Sequence, residues 1–236
     1  MLFCFRYLSL LSSFLVVCLF VISPAHAHPD EKILLWVEEV ILGPEFGGAG
    51  KVCSRWAKGP SLSIFGATPQ QEEVVVGAVV HLNYTLAQTP IKQIVLLKAN
   101  DTDADIRIYF APLKELPTFA EKHNFYYAAG NWGYFWTFWN YQHEIERGFV
   151  LLASDRLKDK QLRHFALEEI TQVLGLSNDS PIFPESIFYA MGNDGGNAQQ
   201  LSKLDKKLIT FFYNHILPGA KQADVRTAFK QYWPKQ

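Results

Sequence analysis

Apolar residues along the chain change period several times, and each change predicts an element. From Gln71 to Ala87 the apolar positions Val75, Val79, Leu82 and Leu86 fall four, three and four apart, which is a helical stripe. Asp105-Ile106-Arg107-Ile108-Tyr109-Phe110 alternates and stops at Pro112, as a strand does. Ile91 to Leu97 is a short apolar run with strand character, and Pro60 to Ile64 reads as a short extended piece. Leu113 to Lys122 predicts a helix with a start or kink at Pro117, and Tyr134 to Trp139 predicts a hairpin partner for Phe149 to Ala153. Leu162, Phe165, Ala166, Glu169, Ile170, Val173 and Leu174 share one helical face. Gly175 closes that helix, since glycine readily takes the positive φ that ends a helix and reverses the chain. Leu204, Leu208, Ile209 and Phe212 stripe one C-terminal helix, and Val225, Phe229 and Tyr232 a second. Strands and helices in this order predict an α+β (mixed α/β) fold with C-terminal helices.

The beginning of the chain has a different grammar. Arg6 precedes an apolar run from Tyr7 to Ile22, then Ser23-Pro24 and Ala25-His26-Ala27. A basic start, an apolar stretch of roughly 15 residues and small residues before a cut site define a signal peptide, with cleavage expected after Ala27. The run is shorter than the roughly 20 residues a membrane span needs. The expected organisation is a signal peptide over 1–27, an N-terminal extension over 28–54, containing the apolar segment Ile33 to Leu42 and the loop-forming Gly47-Gly48-Ala49-Gly50, and a domain over 55–236. Cleavage makes the product periplasmic or secreted, with no stable transmembrane anchor.

Charge and cysteine content then narrow the function. Removing 1–27 takes Arg6 from the 22 basic residues, leaving 21 against 23 acidic ones. Such a balance lacks the basic face of a nucleic-acid binder. Cys53 is the single cysteine left, so no internal disulfide staples the fold. The aromatic density over 125–139 admits two readings, packing on a sheet or a ligand-binding wall, and packing is the commoner use.

One segment carries specific chemistry: Leu167-Glu168-Glu169-Ile170-Thr171-Gln172-Val173-Leu174-Gly175-Leu176-Ser177-Asn178-Asp179. On a helix Glu168 and Gln172 lie one above the other, and a reversal at Gly175 returns Asn178 or Asp179 toward them. Glu168 and Glu169 point about 100° apart, which disfavours a shared-proton pair. His164 lies one turn before Glu168 and is expected to serve as a capping or core histidine.

This segment resembles the metzincin metallopeptidase signature H-E-x-x-H-x-x-G-x-x-H followed by Asp. Glu169 holds the position of the general base, and Gly175 and Asp179 match. Glu168, Gln172 and Asn178 stand where the three zinc-binding histidines would be. Asp105 to Phe110 resembles the family's Ala-Asp-Ile-Arg strand. Ser186-Ile187-Phe188 resembles its methionine turn with Phe188 in place of Met, Met191 being a weaker candidate. The likeness covers residues 55–215. The form Glu-Glu-x-x-Gln-x-Leu-Gly-Leu-x-Asn-Asp-Ser is similar to an exported bacterial family of unknown function that resembles a metzincin scaffold with replaced ligands, which implies a zincin/metzincin-like small mixed sheet packed on the 162–174 helix.

The resemblance implies a metzincin-like fold and a pocket at Glu168, Gln172, Asn178 and Asp179, with Gly175 and Phe188 structural. One carboxylate and two amides hold zinc poorly, so no metal and no cofactor is expected; oxygen donors of this kind suit calcium, magnesium or manganese better than zinc. The expected function is binding of a peptide or cell-envelope protein without cleavage. The alternative is a metal-dependent hydrolase with Glu169 as base and non-histidine ligands.

Overall fold

The computed structural model describes residues 29–43, 52–190 and 196–233. The expected signal segment, the glycine run at 47–50 and Met191 lie outside these residues. In chain order the elements are α1 (Pro29–Leu42), β1 (Ser61–Phe65), α2 (Pro69–Leu86), β2 (Val95–Leu96), β3 (Ile106–Ala111), α3 (Leu116–Lys122), β4 (Gly133–Trp139), β5 (Ile145–Ala153), α4 (Asp159–Val173), α5 (Lys203–His215) and α6 (Gln222–Tyr232).

The strands form one sheet in the order β2-β1-β3-β5-β4. All neighbours pair in parallel except β4, which runs antiparallel to β5 and forms one edge. The architecture is therefore mixed α/β, with a five-stranded mixed sheet. The alternation in β3 places Ile106, Ile108 and Phe110 in the core. β5 lies between two strands and its last six residues are buried, as expected for a strand covered on both faces. The hairpin forms with Tyr134 opposite Leu151 and Phe135 opposite Val150.

Local chemistry sets the helix limits. Thr68 and Gln71 form a reciprocal capping box at the start of α2, behind Pro69, and Ser202 and Asp205 do the same for α5. The segment 91–97 yields only the two-residue β2. The Asn83 side chain accepts from the Ile94 amide at 2.7 Å and donates to the Ile94 carbonyl at 3.0 Å, so these backbone groups are satisfied without a strand ladder. Over 113–122 a 3₁₀ turn, Leu113–Glu115, precedes α3.

The boundary expected at residue 54 marks no break in the packing. Trp36, Val37 and Val40 of α1 are fully buried in the same core as the sheet, α4 and α5. Glu38 receives hydrogen bonds from Arg226 and Gln222 of α6, and Cys53 donates its amide to the Ala220 carbonyl at 2.8 Å. Arg55 is buried and its guanidinium donates to the carbonyls of Phe212, Tyr213 and Ile216, capping the end of α5.

The aromatic residues of 125–139 divide between two cores: Phe135 packs against the main core that holds α4, and Tyr127, Tyr134 and Trp136 belong to a smaller cluster. Tyr134 and Leu151 with Leu116 of α3 form a small second core, joined by Tyr109, Phe119, Tyr127 and Trp136. Phe125 lies 4.7 Å from Trp136 and 5.1 Å from Phe149 between ring centroids.

Candidate functional site

α4 is the element that organises the site, and its inner face is unusually polar. His164, Glu168 and Gln172 recur every fourth residue and so form one vertical row. His164 and Gln172 are each 1 % exposed and Glu168 is 5 % exposed. The His164 Nδ1 lies 2.7 Å from the Ala198 carbonyl, which fixes the proton on Nδ1. Nε2 then faces the Glu168 carboxylate at 3.3 Å. One turn further on, Gln172 Nε2 donates to Asp179 Oδ1 at 2.8 Å.

The reversal that delivers Asp179 depends on Gly175, whose φ is +108°. Its amide donates to the Gln172 carbonyl at 2.8 Å, ending the helix. A β-carbon there would press on the Ser54 carbonyl oxygen and lie 3.2 Å from Arg55 Cα. Asn178 does not join Gln172. Its amide donates to the Asp179 carbonyl at 2.7 Å and packs on Gly43 at the end of α1. Of the two residues expected from the turn, Asp179 reaches the row and Asn178 turns to α1.

Burial and neighbouring charge shift the titratable groups at both ends of this row. Desolvation raises the pKa of Asp179 to about 8, and the Glu168 charge adds to the rise. Asp179 is thus mostly protonated at neutral pH and faces Glu168 without repulsion. Burial opposes charge on His164, but the adjacent Glu168 carboxylate outweighs it and the imidazole pKa lies above its ordinary value. A protonated Asp179 adds no charge to this buried cluster, as burial favours. Gln172 Oε1 is buried with no hydrogen-bond partner among the described residues.

Glu169 points elsewhere. It is 4 % exposed, and its carboxylate packs on Gly133, the first residue of edge strand β4, beside Phe165. Gly133 permits this approach because a β-carbon would occupy the position of the carboxylate. Glu168 and Glu169 therefore serve different neighbourhoods, as their 100° separation on the helix dictates.

Below α4 the chain is pinned by buried polar contacts. Asp205 accepts from Ser186 Oγ at 2.6 Å and from the Ile187 amide at 3.1 Å. Phe188, fully buried, sits 6.4 Å from Trp36 between ring centroids, and its carbonyl accepts from the Ser180 amide at 2.8 Å. Ser180 Oγ donates to Glu39 of α1 at 2.5 Å. Asp205, Ser180, Glu39 and Arg55 were not legible as site-supporting residues, because each partner lies far away in sequence. His164 had a legible signal, the 164-168-172 spacing.

The donor set does not fit zinc. Asn178 is committed to backbone, Gln172 offers only an amide oxygen, and Glu168 is engaged by His164. Among the described residues no group of three His, Cys, Asp or Glu side chains is arranged to hold a metal ion.

These features define a mixed α/β protein whose five-stranded sheet rests on a helix with a buried, self-paired polar row. The chain belongs to the DUF2927 family, a protein family of unknown function, which matches residues 33–231. No curated protein matches the chain. Among solved structures it is similar to two of myroilysin. One has 15 % identity and a TM-score of 0.41 over 68 % of this chain and 95 % of that one. The other has 13 % identity and a TM-score of 0.43 over 79 % and 96 %. Likeness at this level describes neither a shared site nor a shared activity.

Proposed function

We propose that this protein is exported, loses residues 1–27, and acts in the periplasm or outside the cell as a metzincin-like module that binds an extended peptide or envelope-protein segment without cutting it. One observation carries this reading: each residue at a former ligand position is taken up by a neighbour of its own. Glu168 lies 3.3 Å from His164 and Gln172 donates to Asp179, so neither is free to hold a metal ion that would polarise a scissile carbonyl. Edge strand β4 offers a surface to a ligand, since among the described residues no further strand pairs beyond it. An extended segment can add to such an edge through backbone hydrogen bonds, as in other strand-addition complexes. Among the described residues no helix is long and apolar enough to cross a membrane, which agrees with a processed product free of a stable anchor.

The test pairs binding with integrity. The processed protein is incubated with a library of unstructured peptides and probed by hydrogen–deuterium exchange over 133–139, while the peptides are analysed by mass spectrometry. Slowed exchange in β4 with intact peptides is the expected result. Peptide cleavage that disappears in Glu169→Gln, with stoichiometric metal in the purified protein, would overturn the reading and establish the hydrolase alternative. That alternative draws on Glu169, whose carboxylate lies beneath the first residue of the same edge strand.

A further inference from the structure

A surface hollow lies on α2, α5 and α6, elements that do not contribute to edge strand β4. The C-terminal half of α2 and the outer face of α5 enclose a hollow of about 280 Å³, and a second of about 280 Å³ extends it to the end of α6. Gln88, Lys206 and Thr210 line both and make them continuous. At one end stand His81 and Tyr84; at the other, Lys207, Phe211, His215 and Tyr232.

Every ionisable group of this lining other than the two tyrosines is basic, although the whole chain has a net charge of −1. Neither Lys206 nor Lys207 has an ion-pair partner among the described residues. His81 adds an oriented neutral donor. Its Nε2 accepts from the Leu201 amide at 3.2 Å, which places the ring proton on Nδ1. Burial, and then the nearby Lys206 charge, lower its pKa and keep the ring neutral. Beside these donors is an aromatic stack with Tyr232 partly exposed. The His215 and Tyr232 rings stack at 4.2 Å and 6°, and Phe211 lies 5.9 Å from His215. Asn214 donates to the Gln88 carbonyl at 3.3 Å and ties the two walls together.

Ammonium groups without counter-charges, a fixed N–H donor and an aromatic plate make one kind of complement. We propose that this hollow binds a small organic anion, a carboxylate or phosphate head carried on an aromatic ring. The head lies against Lys206, Lys207 and His81, and the ring on the His215–Tyr232 plate.

The processed protein, labelled with ¹⁵N, is titrated with phenyl phosphate, with N-acetylphenylalanine and with phenol, following the backbone amides of Gln88, Thr210 and His215. Saturable shifts are expected with at least one of the two anions, weakening as salt is added. Phenol is expected to leave the signals in place. Lys206→Glu, an exposed substitution, should weaken anion binding by about tenfold or more with an unchanged melting temperature. Absence of saturation by both anions at millimolar concentration, equal binding of phenol, or full affinity in Lys206→Glu would overturn the proposal. None of these outcomes bears on β4.

Discussion

Gly175→Ala is the sharpest test of how the polar row is assembled, because one methyl group meets two independent obstacles. The first is conformational: φ at this position is +108°, a region that disfavours any residue with a β-carbon and costs about 1–2 kcal/mol. The second is steric. The new carbon would overlap the Ser54 carbonyl oxygen, approach Arg55 Cα to 3.2 Å and Phe212 Cζ to 3.3 Å. The first two contacts are backbone, so relief requires moving the segment that carries Arg55, and such overpacking costs about 1–3 kcal/mol. Together the loss is about 2–5 kcal/mol, a large share of the roughly 5–15 kcal/mol by which a domain is stable. Equilibrium urea unfolding measures it directly, and a melting scan should fall by roughly 5–15 °C. Gly175→Val should cost more, because a β-branched side chain resists positive φ further. Gly77→Ala is the control: Gly77 sits within α2 with nothing within 4 Å of an added carbon, so alanine there should stabilise by about 0.5–1 kcal/mol. A Gly175→Ala protein within about 0.5 kcal/mol of the parent, inside the ordinary range for surface changes, would refute both the strain and the close approach.

Three further outcomes follow from the same geometry. Asp179→Asn should flatten the pH dependence of stability: the raised folded pKa means stability is full below the ordinary carboxyl range and is lost as pH rises toward about 8, and the raised His164 shift has the same sign. Urea unfolding at acid and mildly alkaline pH checks this; an unchanged profile in the variant would remove Asp179 as the cause. Arg55→Ala should cost on the order of 3 kcal/mol by leaving the Phe212, Tyr213 and Ile216 carbonyls without their donor, with faster amide exchange at the end of α5; melting like the parent's would contradict the cap. Asp205→Ala should cost about 2–4 kcal/mol, since Ser186, Ile187 and Ser202 all bond to this buried carboxyl, and near-ultraviolet circular dichroism should report looser packing around Trp36 and Phe188.

The sequence by itself determined the elements whose information is local. The 3.6-residue stripe of 162–174, the alternation of 105–110 and the glycine at 175 each act between residues a few positions apart, and α4, β3 and the positive φ formed where they indicated. The same periodicity put Glu168 and Gln172 in one row and sent Glu169 to a different neighbour. Tertiary structure alone decided what meets that row. Asp179 rather than Asn178 closes it because Asn178 is claimed by its neighbour's carbonyl and by the end of α1, a partner more than a hundred residues away. The ring of His164 is held beside Glu168 by the Ala198 carbonyl, supplied by a segment 34 residues away. Residues 91–97 shortened to two strand residues because Asn83 satisfied the Ile94 backbone first. α1 became part of the core, tied by Glu38 and Glu39 to α6 and Ser180. Periodicity fixes which way a side chain leaves its own helix or strand; the partner it finds there depends on how distant segments pack, and no local pattern encodes that.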